Sequence, residues 1–353
     1  MTGRLFVFSP TYRPVGGVVK LFDYARHGLD LGIEPVFCIP ERARSDVPLL
    51  QIERFRPLGP DAGVEHVEGY SVGIGPGDLV VFSWPPQYEV IAPRLDRRTP
   101  AERVIHLIQN VRHADPGFQA GHARRLLARP MARISTNEIV AAAIRPYVHP
   151  DSIHEVVPIG HDVGFFRAER SSGIPTGRPL RVAYTTWKSR LGDRLAAALA
   201  GSGTTVFRRI GHEAGWDELR DLYAWSDVFL GTPIAQEGSY LPALEAMAAG
   251  AVVVVPPAGG NLAYCRFGEN CLEAAFEDDD SYVAAIDEIR SMSAERIDRI
   301  RAAAAATAAA HDLDAERSGF SAVVARIEAE ARPRPRRPVV AAAAEQAFRL
   351  GWE

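Results

Sequence analysis

A chain of 353 residues with 47% hydrophobic and 24% charged side chains has the makeup of an ordinary soluble globular protein, with material for two cores at about 150 residues each. Its formal net charge of -4 gives no overall basic field that would draw it to nucleic acid or anionic lipid, although a local patch stays open. Its three cysteines, Cys38, Cys265 and Cys271, form neither a paired framework nor a CxxC knuckle, which fits a reducing compartment and no structural zinc.

The amino-terminal stretch MTGRLFVFSP has an apolar run that stops at Pro10, too short for a signal-peptide core. No segment approaches the roughly 18 apolar residues of a membrane span. The expectation is a cytoplasmic protein without a transmembrane segment; peripheral membrane contact stays open.

In the first half, RLFVFS (4–9), EPVFCIP (34–40), DLVVFSW (78–84), RVIHLIQ (103–109), ARISTN (132–137) and HEVVPIG (154–160) have the composition of strands. VVKLFDYARHGLDLG (18–32) reads as a helix with Val19, Phe22, Ala25 and Leu29 on one face and Gly32 as its stop. Strands alternating with helices imply a parallel sheet covered on both faces. In SPTYRPVGGVVKLFDYARHG, Gly16 and Gly17 lie between a strand and a helix, where a loop backbone can approach a ligand. The GIGPGDLVV stretch places its glycines before a strand, so it reads as a turn, and no GxGxxG nicotinamide fingerprint is present.

RSSGIPTGRP (170–179), rich in Gly, Pro and Ser, reads as a linker with little to pack. The same alternation then resumes with LRVAYTT (180–186), TTVFRRIG (204–211), DVFLGTP (227–233), AVVVVPP (251–257) and NCLEAAF (270–276), separated by helices near 193–200 and 218–225. AERIDRIRAAAAATAAAH reads as a long alanine-rich helix, ARPRPRRP as an extended connector and VVAAAAEQAFRLGW as a last helix. The reading is α/β, with two doubly wound domains over 1–165 and 166–335, and a helix in 336–353 that returns to the first domain.

The stretch AQEGSYLPALEAMAAG (235–250) holds two glutamates eight positions apart. Gly238 gives the turn its freedom, Pro242 suits the first position of a helix, and Gly250 ends it, so the helix runs from about 242 to 249. A helix start beyond a parallel strand is a ready anion site, with the amides of Ser239, Tyr240 and Leu241 turned outward. Carboxylates beside a diphosphate make sense where they accept bonds from neutral hydroxyls: Glu245 from a ribose, Glu237 from hydroxyls at the other end of the ligand. Ribose, diphosphate and a second polyol together describe a nucleotide sugar. The bland alternative is a pair of glutamates that cap and solubilise a helix.

This stretch resembles the E-x7-E signature, EGFGLPALEAMACG, of retaining GT-B glycosyltransferases. LYAWSDVFLGTP, VVVVPPAGGNLAYCRFGENCLEA and VVPIGHDVGFF are similar to three further segments of that family, in the same order. Ser239 and Tyr240 stand where the family has Phe-Gly, Cys271 replaces a glycine and His161 a valine. The resemblance implies a GT-B fold of two Rossmann-like domains, the first on the acceptor side and the second on the donor side. It implies that Glu237 contacts the donor sugar, Glu245 the ribose, and the amides of Gly238, Ser239, Tyr240 and Leu241 the diphosphate. It implies an Arg and a Lys after the second domain's first strand. Lys188 and Arg190 are the candidates, with Thr185 and Thr186 where the family has Gly-Arg. A sugar-contacting family histidine falls near Gln109 and Asn110, either of which can bond sugar hydroxyls, with His106 read as a packed strand residue and His113, just beyond, as either an active-site contact or an exposed loop residue. Gly16 and Gly17 resemble the family's amino-terminal Gly-Gly loop.

The implied activity is retaining, metal-independent transfer of a hexose from a nucleoside-diphosphate sugar to an acceptor: a glycan, lipid-linked glycan, natural product or protein. No metal or other cofactor is expected, and FEDDDSY (276–282) reads as a solvated helix start. Two other readings stand: an idle GT-B protein that binds nucleotide or a partner, favoured by the substitutions in the motifs, and a nucleic-acid glycosylating protein, against which the net negative charge argues.

Overall fold

The computed structural model describes residues 3–40, 48–211 and 214–331. Seven strands form the first sheet: β1 (Leu5–Phe8), β2 (Pro35–Ile39), β3 (Glu65–Glu68), β4 (Leu79–Phe82), β5 (Val104–Ile108), β6 (Ala132–Ser135) and β7 (His154–Val156). Their order is β3-β2-β1-β4-β5-β6-β7, with every pairing parallel. Five strands form the second: β8 (Leu180–Thr185), β9 (Thr205–Ile210), β10 (Val228–Leu230), β11 (Val252–Val255) and β12 (Leu272–Glu273), in the order β12-β11-β10-β8-β9, again all parallel.

Alternation along the strands builds the cores. Leu5 and Val7 face the helix Gly16–Asp30, while Phe6 and Phe8 enter a second apolar cluster on the opposite face. In the second sheet Ala183, Phe229 and Val253 face one way and Val182, Val228 and Val252 the other. A parallel sheet is covered on both faces, so its strands read as continuous apolar runs, and this is why they were visible in the sequence.

The helix expected in 336–353 lies outside the described residues; among those described, the helix Leu313–Glu330 packs on the first domain. Phe320, Val323 and Ile327 put an apolar stripe at helical spacing into the first domain's core, with the Phe320 ring 5.0 Å from that of Tyr24. The stretch 170–179 is not a loosely packed linker: Arg170 donates to Tyr223 O, Ser226 O and Ala249 O, and the Gly173 amide donates to Asp298. FEDDDSY is the start of a helix, with Asp278 accepting from Ser281 N and Arg194 paired to Asp279.

Where the chain crosses between domains, the buried ammonium of Lys20 meets Glu316 at 2.6 Å, Asp23 at 2.8 Å and Gly160 O at 2.8 Å. Glu316 also accepts from Gly160 N and meets His27 at 2.9 Å. Removing any partner leaves a buried charge unmatched, so the network holds the returning helix in one register. Among the described residues no helix is long and apolar enough to cross a membrane.

Candidate functional site between the two domains

The site is built at the carboxyl ends of the strands, where loops of the two domains meet. Beyond β10 the chain turns through Glu237, and the helix Leu241–Ala248 begins with Pro242 in its first turn. Gly259 N donates to Ala235 O and Gly260 N to Glu237 O, so the Gly-Gly segment after β11 braces the turn. The amides of Gly238, Ser239, Tyr240 and Leu241 have no protein acceptor among the described residues. Four unpaired donors at a helix start form a patch of positive potential.

Tyr240 adopts φ 37°, ψ 65°, the left-handed region that favours glycine, at a position where the resembling signature carries glycine. Its ring is buried and holds the strained turn: Thr232 N donates to its hydroxyl at 2.9 Å, and Tyr264 donates to its carbonyl at 2.9 Å. The turn therefore has the expected shape without the expected residue.

Lys188, after β8, donates to the Glu237 carboxylate and lies 5.7 Å from the Tyr240 ring centre. Arg190 goes elsewhere: it pairs with Asp193 at the start of the next helix, 2.8 Å away. Glu245 is buried and accepts from Tyr223 at 3.0 Å. Burial pushes its carboxyl up to about 7 against the opposing effects of the Tyr223 hydrogen bond and the Arg54 guanidinium. Arg54 belongs to the first domain and stacks 4.3 Å over Trp216 of the second. Trp216 packs against the cores of both domains.

The first domain supplies the facing wall. Gln109 Nε2 donates to Gly17 O at 3.0 Å, and Asn110 caps the short helix after β5, accepting from Arg112 N. The Gln109 carbonyl approaches Gly238 so closely that a Cβ on that glycine would fall 1.6 Å from it, and a Cβ on Gly260 would fall 1.0 Å from Gly238 O. Asn137 reaches across to Gly238 O and to Ser239, which in turn donates to Thr136. Gly16 opens the first helix, and nothing lies within 4 Å of where a Cβ on it would sit.

Residues 188–291 match the model of the family described as glycosyl transferases group 1. That match lies within the second domain and covers less than a third of the chain. The chain as a whole has the GT-B fold. It is similar to Anabaena HepE in complex with UDP and glucose, at 13% identity and a TM-score of 0.69, covering 92% of this chain and 100% of that one. It is similar also to sucrose-phosphate synthase from Thermosynechococcus elongatus, at 13% identity and a TM-score of 0.67 over 93% and 99% of the two chains. A glycosyltransferase from Rickettsia africae superposes at 13% identity with a TM-score of 0.65 over 93% and 99%. No curated protein matches the chain.

The GT-B fold thus gathers Glu237, Gly238, Ser239, Tyr240, Leu241, Lys188, Gly17, Gln109 and Asn110 in one place. His113 is packed inside the first domain instead, its ring against His106 and Phe118, and burial brings it down to about 3. Asn137, Thr136, Arg54 and Trp216 were not singled out in the sequence. Asn137 alone had a signal there, an Asn before Glu138 at the head of an apolar run, the pattern of a helix cap. Among the described residues no group of three or more His, Cys, Asp or Glu is gathered to hold a metal ion.

Proposed function

We propose that the protein is a cytoplasmic, retaining glycosyltransferase that moves a hexose from a nucleoside-diphosphate sugar to an acceptor hydroxyl without a metal. The four unpaired amides of Gly238 to Leu241, flanked by Lys188 and Glu237, are the observation that carries this reading. They suit a diphosphate, with the helix dipole behind them. Glu237 accepts from the sugar hydroxyls and Glu245 from the ribose. The UDP and glucose named with the Anabaena protein support a ligand of this class.

In the reaction, the bond from the anomeric carbon to the phosphate oxygen breaks, and a bond to the acceptor oxygen forms on the same face. The acceptor proton passes to the departing phosphate oxygen. Charge that develops on the diphosphate is met by the helix amides and by Lys188, released from Glu237 as the donor binds. Closure of the two domains excludes water from the reacting centre.

A thermal-shift panel of UDP, GDP, dTDP, CDP and ADP, run on the wild type and on Glu245→Ala, is the first test. Stabilisation by one diphosphate in the wild type alone is expected. Its sugar conjugates are then assayed for transfer and for donor hydrolysis, with the anomeric configuration of the product read by NMR. A second reading, an idle nucleotide-binding protein, is favoured by the engagement of both basic candidates, Lys188 with Glu237 and Arg190 with Asp193. Binding with neither transfer nor hydrolysis would select it.

A further inference from the structure

At the opposite end of the second sheet lies a cavity of about 260 Å³ lined by four arginines, Arg170, Arg178, Arg181 and Arg301. Arg178 and Arg181 stand at the entry to β8 and Asp227 at the entry to β10, whereas Lys188 and Glu237 follow the exits of the same strands. A six-residue strand spans about 20 Å, so the cavity and the donor site are well separated.

The carboxylates in the wall do not balance the charge. Asp227 is taken up by a bidentate bond with Arg178, at 2.7 and 2.8 Å, and by the main-chain amide of Arg181. Glu169, the other acid of the lining, is exposed at the rim. Among the described residues Arg170 bonds only main-chain carbonyls, and Arg301, 8% exposed, donates to Gly173 O while its Nε has no partner there. A buried guanidinium N–H without an acceptor costs on the order of 1–3 kcal/mol, which an anion in the cavity would recover. Burial, and then the repulsion of Arg301, brings Arg170 down to about 10, as expected where cations crowd without enough counter-charge. Arg181 lies 5.7 Å from the ring centre of Trp225, and that indole forms part of the wall.

We propose that this cavity is a second ligand site, which takes the phosphate group of a small phosphate monoester. Arg301 and Arg181 donate to the phosphate oxygens, a geometry that guanidinium groups favour, and the Trp225 indole, which also carries Arg208 at 4.3 Å, borders the organic part. The site is independent of the donor site and does not rest on the proposed transfer reaction.

The test is calorimetric titration of the full chain with inorganic phosphate, at constant ionic strength set with chloride. Arg181→Gln is the main variant, because that half-exposed side chain can be changed without opening a buried pair. Arg301→Lys keeps the charge but removes the Nε donor. Lys188→Ala reports on phosphate held at the donor site. Phosphate affinity at least five-fold weaker in Arg181→Gln and retained in Lys188→Ala is the expected result, with Arg301→Lys weakened in the same direction. No phosphate binding by the wild type, unchanged affinity in Arg181→Gln, or binding lost in Lys188→Ala alone would overturn the proposal.

Discussion

The side-chain amide of Asn137, in the first domain, donates to the main-chain carbonyl of Gly238, in the second, at 2.9 Å. Its oxygen meanwhile caps the helix Glu138–Ile144 by accepting from Val140 N at 2.9 Å. One buried amide thus joins a first-domain helix to the turn whose N–H groups face the proposed diphosphate. Two substitutions separate its roles. Asn137→Ala loses both and should cost about 1–2 kcal/mol of stability through the missing cap. Asn137→Asp keeps the cap but sets a buried carboxylate against a carbonyl, so the expected outcome is a loss of stability that shrinks as the pH is lowered and the carboxyl is protonated, with nucleotide affinity weakened about ten-fold. Urea unfolding and diphosphate titration check the two halves. Equal affinity in Asn137→Asp and wild type would remove the positioning role.

Tyr240 makes a second prediction, about backbone strain. Losing its buried ring should cost about 3–5 kcal/mol whatever replaces it. The φ of 37° then decides between the smallest replacements, since a Cβ in the left-handed region costs about 1–2 kcal/mol and glycine has none. Tyr240→Gly should therefore be more stable than Tyr240→Ala by about 1 kcal/mol, the reverse of the usual order at a helix. Denaturant midpoints of the two variants measure this directly, and an Ala variant equal to or above Gly would mean the turn relaxes out of this conformation.

Most strands legible in the sequence are buried on both faces, where apolar runs carry their own signal, while the partly exposed edge strands β7 and β9 were legible through their Val, Ile and Phe content. β3, with the sequence EHVE, was missed because it is a short edge strand whose side chains are partly exposed, so nothing in its composition marks it. In the site the same division holds. Glu237, Gly238 and Glu245 are local to one turn and helix, and their spacing could be read. Arg54 lies in a short 3-10 helix, ERFRPL, without a helical pattern of apolar residues, and it faces Trp216 because the domains pack together. The pairing of Lys188 with Glu237, 49 residues apart, was equally invisible: each was read separately as a ligand of the donor.

Three buried histidines predict the acid side of the stability profile. His113 and His161 are both brought down to about 3, and His106 is held well below its usual range, in each case chiefly by burial. A depressed folded value means stability that is present above the unfolded pKa of about 6.5 and is lost as pH falls toward the folded one. At pH 5 His113 and His161 should each cost roughly 2 kcal/mol relative to pH 7, with His106 adding in the same direction. The urea midpoint should fall over that interval, and His113→Leu should fall less steeply. Parallel slopes for variant and wild type would show that His113 becomes protonated without cost.

Glu245 acts with the opposite sign. Its carboxyl is raised from 4.5 to about 7 by burial, so its contribution to stability is fully present below the unfolded value and is lost as pH rises through about 7. The shift corresponds to roughly 3 kcal/mol at most. Glu245→Gln keeps an acceptor for the Tyr223 hydroxyl and cannot ionise, so it should be more stable than the wild type at pH 8, with the difference shrinking toward pH 4.5. Binding should move the other way. An ionised carboxylate is the stronger acceptor for ribose hydroxyls, so wild-type affinity for the nucleoside diphosphate should rise through about pH 7. Glu245→Gln should lack that part of the rise, which also separates it from ionisation of the ligand's own phosphate, common to both proteins. Titrations at pH 6 and pH 8 suffice. Identical pH slopes in the two proteins would mean that Glu245 is a buried structural partner of Tyr223 and does not touch the ribose.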